Sequence, residues 1–118
     1  MIKFIVCLFF IFIAKTSFAN LAYITNEKDN TVSVIDIKKN KVIKTVEVGQ
    51  RPRGIIMSKD GKLVLICASD DDRVEVREAK TLKLKYYLPS GPDPELFVLS
   101  PDNETLYIAN EDDAMVTV

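Results

Sequence analysis

Residues 22–34 read AYITNEKDNTVSV, and residues 106–118 read LYIANEDDAMVTV. The two stretches share seven identical residues, and the members of each pair lie 84 positions apart; the pairs include Tyr23 and Tyr107, Asn26 and Asn110, Glu27 and Glu111, Val32 and Val116, and Val34 and Val118. Agreement at one fixed spacing indicates an internal repeat, and the length of the repeating unit decides the fold.

The repeating unit is half of that spacing, 42 residues long. A shift of 42 positions aligns the chain with itself without a gap and brings residues of the same type together. The matched sets include Ile24, Ile66 and Ile108; Asp29, Asp71 and Asp113; Gly49 and Gly91; and Pro52 and Pro94. A unit of about 40–45 residues is typical of a propeller blade or of a helical repeat, so the pattern inside the unit must distinguish them.

That pattern is the pattern of β-strands. Segments such as TVSVID, RVEVRE and LKLKYYL alternate apolar and polar residues, as strands with one buried face do. LVLICA and LYIA are continuous apolar runs, which are typical of strands covered on both faces. The turns SKDGK and SPDNE carry Gly61 and Asn103 at the same repeat position, and both residue types accept a positive φ. The sequence therefore predicts an all-β fold, a β-propeller with four antiparallel strands per blade.

The predicted blades divide the chain after residue 19 into three parts. Residues 20–52 supply strands B, C and D of a first blade, residues 53–89 a complete blade, and residues 90–118 strands A, B and C of a third. The seven strands after residue 53 are expected at Gly54–Met57, Leu63–Ala68, Arg73–Glu78, Leu82–Leu88, Leu96–Leu99, Thr105–Ala109 and Met115–Val118. These make about two and a third blades, an incomplete ring, because propellers use about four to eight. We expect the chain to be a fragment of a longer protein; the alternative is that several copies assemble into one ring.

The first 19 residues are expected to be a secretory signal peptide. Lys3 precedes an apolar run over residues 4–14, and Ser17 and Ala19 stand where a signal peptidase reads small residues. A membrane anchor is the alternative, but a spanning helix needs about 20 apolar residues and this run is shorter. We therefore expect a periplasmic or secreted protein, cleaved after Ala19 and without a membrane span. Cys67 is then the only cysteine, and we expect it to be a buried apolar side chain of a central strand.

The charge balance argues against two classes of partner. After residue 19 the chain carries 14 basic and 17 acidic residues, and no basic cluster is visible along the sequence. A mildly acidic chain of this kind predicts neither nucleic-acid binding nor binding to anionic lipid. The partner expected instead is another exported protein or a small ligand at the rim of the propeller.

A candidate binding face follows from the topology, because the loops joining strands D to A and B to C emerge together around the channel mouth. The repeat places Arg51 opposite Asp93 and Arg53 opposite Glu95 in neighbouring blades. These charges are either half of a ligand site or interblade ion pairs, which contribute only about 0–1 kcal/mol each near a surface. The full candidate face is Arg51, Arg53, Asp70, Asp71, Asp72, Asp93, Glu95, Glu111, Asp112 and Asp113.

These residues give little evidence for a metal site or a cofactor site. The acidic triplets offer hard oxygen ligands, but Ca²⁺ takes about six to eight and a three-residue turn cannot supply them alone. The sequence has no histidine, nucleophile elbow, phosphate-binding glycine loop or haem attachment motif. We therefore predict no metal, no cofactor and no catalytic residue, and a non-enzymatic binding or scaffold protein.

The unit YITN…NTVSVID…VIKTVEVG…DGK resembles the YVTN-type β-propeller repeat, named for the tetrapeptide present here as YITN and YIAN. The strings NEKDNTVSVID, GQRPRGI and SGPDPELF are most similar to the PQQ-dependent catabolism-associated β-propeller proteins. That resemblance implies an exported protein associated with quinoprotein alcohol oxidation. LICAS in the second blade departs from the tetrapeptide. The alternative, from fold analogy alone, is a haem d1-like redox propeller or a lactonase-like hydrolase whose active residues lie in further blades.

Overall fold

The computed structural model describes residues 20–118 as ten β-strands in three antiparallel sheets; the predicted signal peptide lies outside the described residues. Within residues 20–118, no helix is long and apolar enough to cross a membrane. Sheet 1 holds β1 (Leu21–Asn26), β2 (Thr31–Asp36) and β3 (Lys41–Glu47) in that order. Sheet 2 holds β4 (Pro52–Met57), β5 (Leu63–Ala68), β6 (Arg73–Glu78) and β7 (Leu84–Pro89). Sheet 3 holds β8 (Pro94–Leu99), β9 (Leu106–Asn110) and β10 (Met115–Thr117).

The predicted all-β fold with four-stranded antiparallel blades is confirmed, with differences at the strand ends. Sheet 2 has strands A to D, sheet 1 has B to D, and sheet 3 has A to C. Strand D of sheet 2 was expected to begin at Leu82 but begins at Leu84. Leu82 instead has a φ of 60° and is 1% exposed, because it turns into the core between sheets 1 and 2. The inner strands of sheets 2 and 3 begin two residues earlier than expected, at Pro52 and Pro94.

The 42-residue repeat is also present in the backbone. Left-handed residues recur at that spacing: Asn30, Asp72 and Ala114 after strand B; Asn40 and Leu82 after strand C; Arg51 and Asp93 before strand A; and Gly61 and Asn103 between A and B. Gly61 and Asn103 have φ of 69° and 65°, as their shared turn predicted. A residue other than glycine is uncommon in this region, so the same conformation is specified at each turn by the fold.

The core consists of two layers, one on each face of sheet 2. Val64 and Ile66 of β5 pack towards sheet 1, whereas Leu65 and Cys67 pack towards sheet 3. Successive residues of a strand point to opposite faces, so a strand buried on both faces must be apolar throughout. This explains the continuous run LVLICA. The inner strands also lie close together: a Cβ on Gly54 of β4 would come within 2.6 Å of the backbone oxygen of Glu95 on β8.

In sheets 1 and 3 the asparagine of the YITN or YIAN tetrapeptide forms side-chain hydrogen bonds, whereas sheet 2 has a row of charged side chains instead. In sheet 1, Nδ2 of Asn26 donates to the hydroxyls of Thr31 and Ser33, and in sheet 3 Nδ2 of Asn110 donates to Thr117. Sheet 2 has Ala68 at the asparagine position and Glu75 at the hydroxyl position.

Glu75 is buried at 2% exposure, and it is the central member of the charged row, Asp71, Arg73, Glu75 and Arg77. Nε of Arg77 lies 2.7 Å from Oε2 of Glu75, and Nη1 donates to the carbonyl oxygen of Leu82 at 2.9 Å. Nη2 of Arg73 lies 3.1 Å from Oδ2 of Asp71 and 3.8 Å from Oε1 of Glu75. Because Val74 and Val76 face sheet 3, the charged row faces sheet 1. Equivalent positions of the repeat are thus stabilised by asparagine–hydroxyl hydrogen bonds in sheets 1 and 3 and by ion pairs in sheet 2.

Candidate functional site

Charged side chains from all three sheets meet at one end of the inner strands. The loops before β4 and β8 and the turns after β1, β5 and β9 lie together there, as the sequence predicted. We call this group the rim cluster; its members are Glu27, Arg51, Arg53, Asp70, Asp93, Glu95 and Glu111.

The backbone holds Arg51 and Asp93 in the same unusual conformation. Both have a left-handed φ, 49° and 50°. The N–H of Arg51 donates to Oδ1 of Asn30 at 2.8 Å, and the N–H of Asp93 donates to Oδ1 of Asp72 at 2.9 Å. Their carbonyl oxygens accept from the N–H groups of Ser69 and Glu111. The left-handed conformation recurs at equivalent positions of the repeat, so these backbone contacts fix both residues in the same way.

Arg51 links two sheets through two carboxylates. Its Nη2 donates to Oδ1 of Asp93, and its Nε lies 3.0 Å from Oδ1 of Asp70. The hydrogen bond from Arg51 lowers the pKa of Asp93, and the same bond raises the pKa of Arg51. The predicted meeting of Arg51 and Asp93 is therefore present in the structure as an ion pair.

Arg53 makes a similar bridge one step further along β4. Its Nη2 lies 2.8 Å from Oε1 of Glu95 on β8, and its Nη1 lies 3.3 Å from Oε1 of Glu27 in the turn after β1. One guanidinium therefore connects sheets 1 and 3 across the inner strand of sheet 2. A planar group with several donors suits such a double contact, which a lysine could not reproduce.

Carboxylates outnumber cations in the rim cluster, and two of them repel each other. Glu111 lies beside Glu95, and a hydrogen bond between the two groups, together with their like charge, raises the pKa of Glu111. Oxygen atoms of Asp93, Glu95 and Glu111 lie within 4.8 Å of one another. Asp93 and Glu95 are already paired with arginines, and three carboxylates supply fewer oxygens than Ca²⁺ takes. We therefore assign no metal to this group.

The other predicted residues of the face have different positions. Asp71 accepts from the N–H of Gln50 and pairs with Arg73, so it fixes the loop before β4. Asp72 accepts from the N–H of Asp93, and Asp113 accepts from the N–H of Met115. Asp112 is exposed and lies in the turn after β9. Four predicted residues, Asp71, Asp72, Asp112 and Asp113, are thus separate from the arginine bridges.

Sequence reasoning missed the second partner of Arg53 and the charged row. Glu27 comes from the turn of a different sheet; the loop between strands B and C was expected at the rim, but its pairing with Arg53 was not predicted. The charged row had a visible signal, because Ala68 and Glu75 depart together from the asparagine and hydroxyl pattern of the other two units. The prediction for Cys67 is confirmed: the side chain is fully buried, and burial raises the pKa of its thiol to about 12.

The sequence of residues 3–95 matches the family described as the cytochrome D1 heme domain. The chain belongs to the cytochrome D1 heme domain family. None of the curated proteins compared with the chain matches it.

Solved structures with a similar fold belong to longer proteins. Hydrazine synthase of Kuenenia stuttgartiensis is 25% identical with a TM-score of 0.73, and the match covers 78% of this chain and 26% of that one. A functionally unknown protein from Desulfotomaculum acetoxidans DSM 771 is 18% identical with a TM-score of 0.69, covering 84% and 37%. The dihydro-heme d1 dehydrogenase NirN, in complex with DHE, is 22% identical with a TM-score of 0.66, covering 78% and 20%. The latter two show the fold alone, and the chain spans well under half of each protein's length.

The family description implies a haem, whose iron would need ligands from the protein. Haem iron is held by axial ligands such as His, Cys, Met or Tyr. The sequence has no histidine, and Cys67 is buried between sheets 2 and 3. Met57 lies at the opposite end of β4 from the rim, and Met115 lies on the third strand outward in sheet 3. The tyrosines are also outside the rim cluster: the hydroxyl of Tyr23 donates to the carbonyl oxygen of Ala79, Tyr86 and Tyr87 lie on the outer strand β7, and Tyr107 lies near the opposite end of β9. The rim cluster of residues 20–118 therefore does not fit a haem iron site, and we derive no step through that group.

Proposed function

We propose that this chain is part of a haem d1-type redox propeller in which it forms wall and rim without carrying the iron ligand. The match to the cytochrome D1 heme domain over residues 3–95 is the single observation that supports a redox role. The arrangement of the first strand of each sheet supports the structural part of the proposal, because β4 contacts both β1 and β8 and the arginine bridges connect their ends.

The proposal assigns each part of the site a physical task. Arg51 and Arg53 neutralise carboxylates of neighbouring sheets and fix the distance between inner strands. The remaining carboxylates give the rim a negative charge, which would favour cationic groups of a partner or ligand over anionic ones. We propose no catalytic residue in residues 20–118, and the iron ligand of the proposed redox propeller would come from further blades.

The test has two arms that separate the redox role from the wall-and-rim role. The first is the visible absorption spectrum of the protein isolated from its native cells: haem absorption bands are expected, and a featureless spectrum would overturn the redox proposal. The second is haemin titration of this chain expressed alone. We expect no shift of the haemin Soret band; a saturable shift would show an iron ligand that the wall-and-rim assignment omits.

A non-enzymatic binding role is the second candidate, favoured by the excess of carboxylates over arginines in the rim cluster. An association with quinoprotein alcohol oxidation rests on the loop strings of the sequence alone. The binding role predicts that a partner cross-linked to the protein in native cells is lost in Arg53→Ala but kept in Glu104→Ala, since Glu104 is exposed in the distant turn between β8 and β9. Retention of that partner by both variants would leave the rim cluster with a structural role only.

A further inference from the structure

Lysines that are scattered along the sequence come together on the side of the molecule opposite the rim. They lie in or beside the turns between β2 and β3, between β4 and β5, and between β6 and β7. Backbone pairing puts these turns at the same end, because Asp36 pairs with Lys41 and Leu63 pairs with Glu78. We call this surface the lysine face; its residues are Lys38, Lys39, Lys41, Lys59, Lys62, Lys80, Lys83 and Lys85.

Contacts between the turns make the lysine face continuous over sheets 1 and 2. Nζ of Lys44 on β3 donates to the carbonyl oxygen of Thr81, and the hydroxyl of Tyr23 on β1 donates to the carbonyl oxygen of Ala79 at 2.9 Å. Within sheet 2, the N–H of Ala79 donates to the carbonyl oxygen of Lys62 at 2.8 Å. The repeat explains the gathering, since Lys38 and Lys80, and Lys41 and Lys83, occupy equivalent positions.

The lysines are exposed and mostly unpaired, and the carboxylates of their own turns are occupied; the equivalent turn of sheet 3 carries Asp102 and Glu104 instead of lysines, so the lysine face is confined to sheets 1 and 2. Of the eight, only Lys39 and Lys62 lie within 4.0 Å of a carboxylate in the part of the chain that the structure describes. Asp36 accepts from the N–H of Lys39, and Asp60 accepts from Ser58 and from the N–H of Lys62.

Glu78, the remaining carboxylate of these turns, accepts from the Thr81 hydroxyl at 2.5 Å. A groove of about 490 Å³ opens beside it, lined by Lys62, Lys80 and Lys85 together with Asp60, Gly61, Leu63 and Glu78.

We propose that the lysine face binds the surface of an anionic lipid bilayer. Lysine carries a compact, strongly hydrated charge suited to attraction by many headgroups, whereas Arg51, Arg53 and Arg73 lie at the rim end.

The opposite face gives the bound molecule an orientation. Ten carboxylates lie in the turns and inner-strand ends at the rim: Glu27, Asp29, Asp70, Asp71, Asp72, Asp93, Glu95, Glu111, Asp112 and Asp113. Anionic lipid would repel that surface, so the molecule would dock with its rim directed away from the bilayer. This leaves the rim cluster open to another ligand while the lysine face is occupied.

Vesicle co-sedimentation tests the proposal with a matched pair of variants. The probes are vesicles of phosphatidylcholine alone and vesicles in which a quarter of the lipid is phosphatidylglycerol, both at low salt. We expect the unsubstituted chain to partition more strongly onto the anionic vesicles. Lys80→Gln should lower that partition about fivefold, and the Lys80→Gln/Lys85→Gln double variant about twentyfold. Lys28→Gln removes the same charge from the rim side and should leave the partition unchanged.

Several outcomes would overturn the proposal. Equal partition onto neutral and anionic vesicles is one, and an equal loss in Lys28→Gln and Lys80→Gln is another. Residues 1–19 are identical in all variants, so any contribution from that segment cancels in the comparison. Binding to soluble polyglutamate with the same dependence on Lys80 and Lys85, without vesicle binding, would assign the surface to an acidic protein instead. Circular dichroism of each variant verifies that the strands remain folded.

Discussion

The guanidinium of Arg53 lies 2.8 Å from the carboxylate of Glu95, and the two residues stand 42 positions apart on the inner strands of neighbouring sheets. They occupy equivalent positions of the repeat with opposite charge. Arg51 and Asp93 have the same relationship two residues earlier. Identical backbones thus carry complementary side chains, so consecutive blades attract each other at the rim.

A double-mutant cycle measures how much of this attraction stabilises the fold. Arg53 and Glu95 are about one-third and one-fifth exposed, so we expect a coupling of about 0–1 kcal/mol between Arg53→Ala and Glu95→Ala in urea unfolding. Lys62 and Asp60, 4.0 Å apart and largely exposed, serve as the control pair with no measurable coupling. A coupling of several kcal/mol would show that Arg53 is held mainly for stability, which would argue against the binding role of the rim.

Acid unfolding should depend on Asp93 and Glu111 with opposite signs. The pKa of Asp93 is lowered in the folded chain, so its contribution is complete above the unfolded value of about 3.9 and is lost as pH falls through the folded pKa. The pKa of Glu111 is raised, so its contribution is present below the unfolded value of about 4.3 and is lost as pH rises through the folded pKa.

Urea unfolding followed by tyrosine fluorescence over the acid range measures both effects. Asp93→Asn should make stability fall less steeply with acid, and Glu111→Gln should make it fall more steeply. The same change of slope in both variants would contradict these assignments.

The thiol of Cys67 should be unreactive in the folded chain. A pKa of about 12 leaves a thiolate fraction at neutral pH more than about a thousandfold below that of an unperturbed cysteine. With Cys7→Ser as the starting chain, a disulfide reagent should label Cys67 only after denaturant is added. Rapid labelling under native conditions would show that sheets 2 and 3 separate readily.

The charged row should tolerate replacement as a unit better than the loss of one member. Arg77→Met leaves Glu75 charged and buried without its closest partner, and we expect a loss of about 3–5 kcal/mol of unfolding free energy. The double variant Glu75→Ser/Arg77→Ile introduces the residues that sheet 1 has at the equivalent positions, Ser33 and Ile35, and should lose less. A double variant less stable than Arg77→Met would contradict this account.

Much of the fold could be predicted because successive copies of the repeat specify the same backbone conformation. Gly61 and Asn103 specify one turn with different residues, and both have the expected positive φ. The meeting of Arg51 with Asp93 could be predicted for the same reason, since equivalent positions of neighbouring blades lie close together. Leu82 could not, because its alternating pattern favours a strand while tertiary packing turns it into the core.

Contacts that depend on the rotation between sheets could not be predicted from the sequence. The repeat fixes which residues are equivalent, but it does not say that Glu27 of one turn reaches Arg53 of another strand. The lysine face was missed for a related reason. Its members are separated by whole strands in the sequence. Lys41 and Lys80 therefore belong to one basic surface only after folding brings their turns to the same end.

The difference between the asparagine networks and the charged row bears on how the sheets find their order during folding. Units built on one repeat run the risk of stacking on the wrong neighbour, since their backbones are similar. Glu75 and Arg77 reduce that risk, because a mismatched neighbouring sheet would have to cover two buried charges, whereas the first and third units have Ser33 and Thr117 at the position of Glu75. The second unit therefore carries a buried charge pair that the first and third units lack, and this pair helps to determine the order in which the sheets stack.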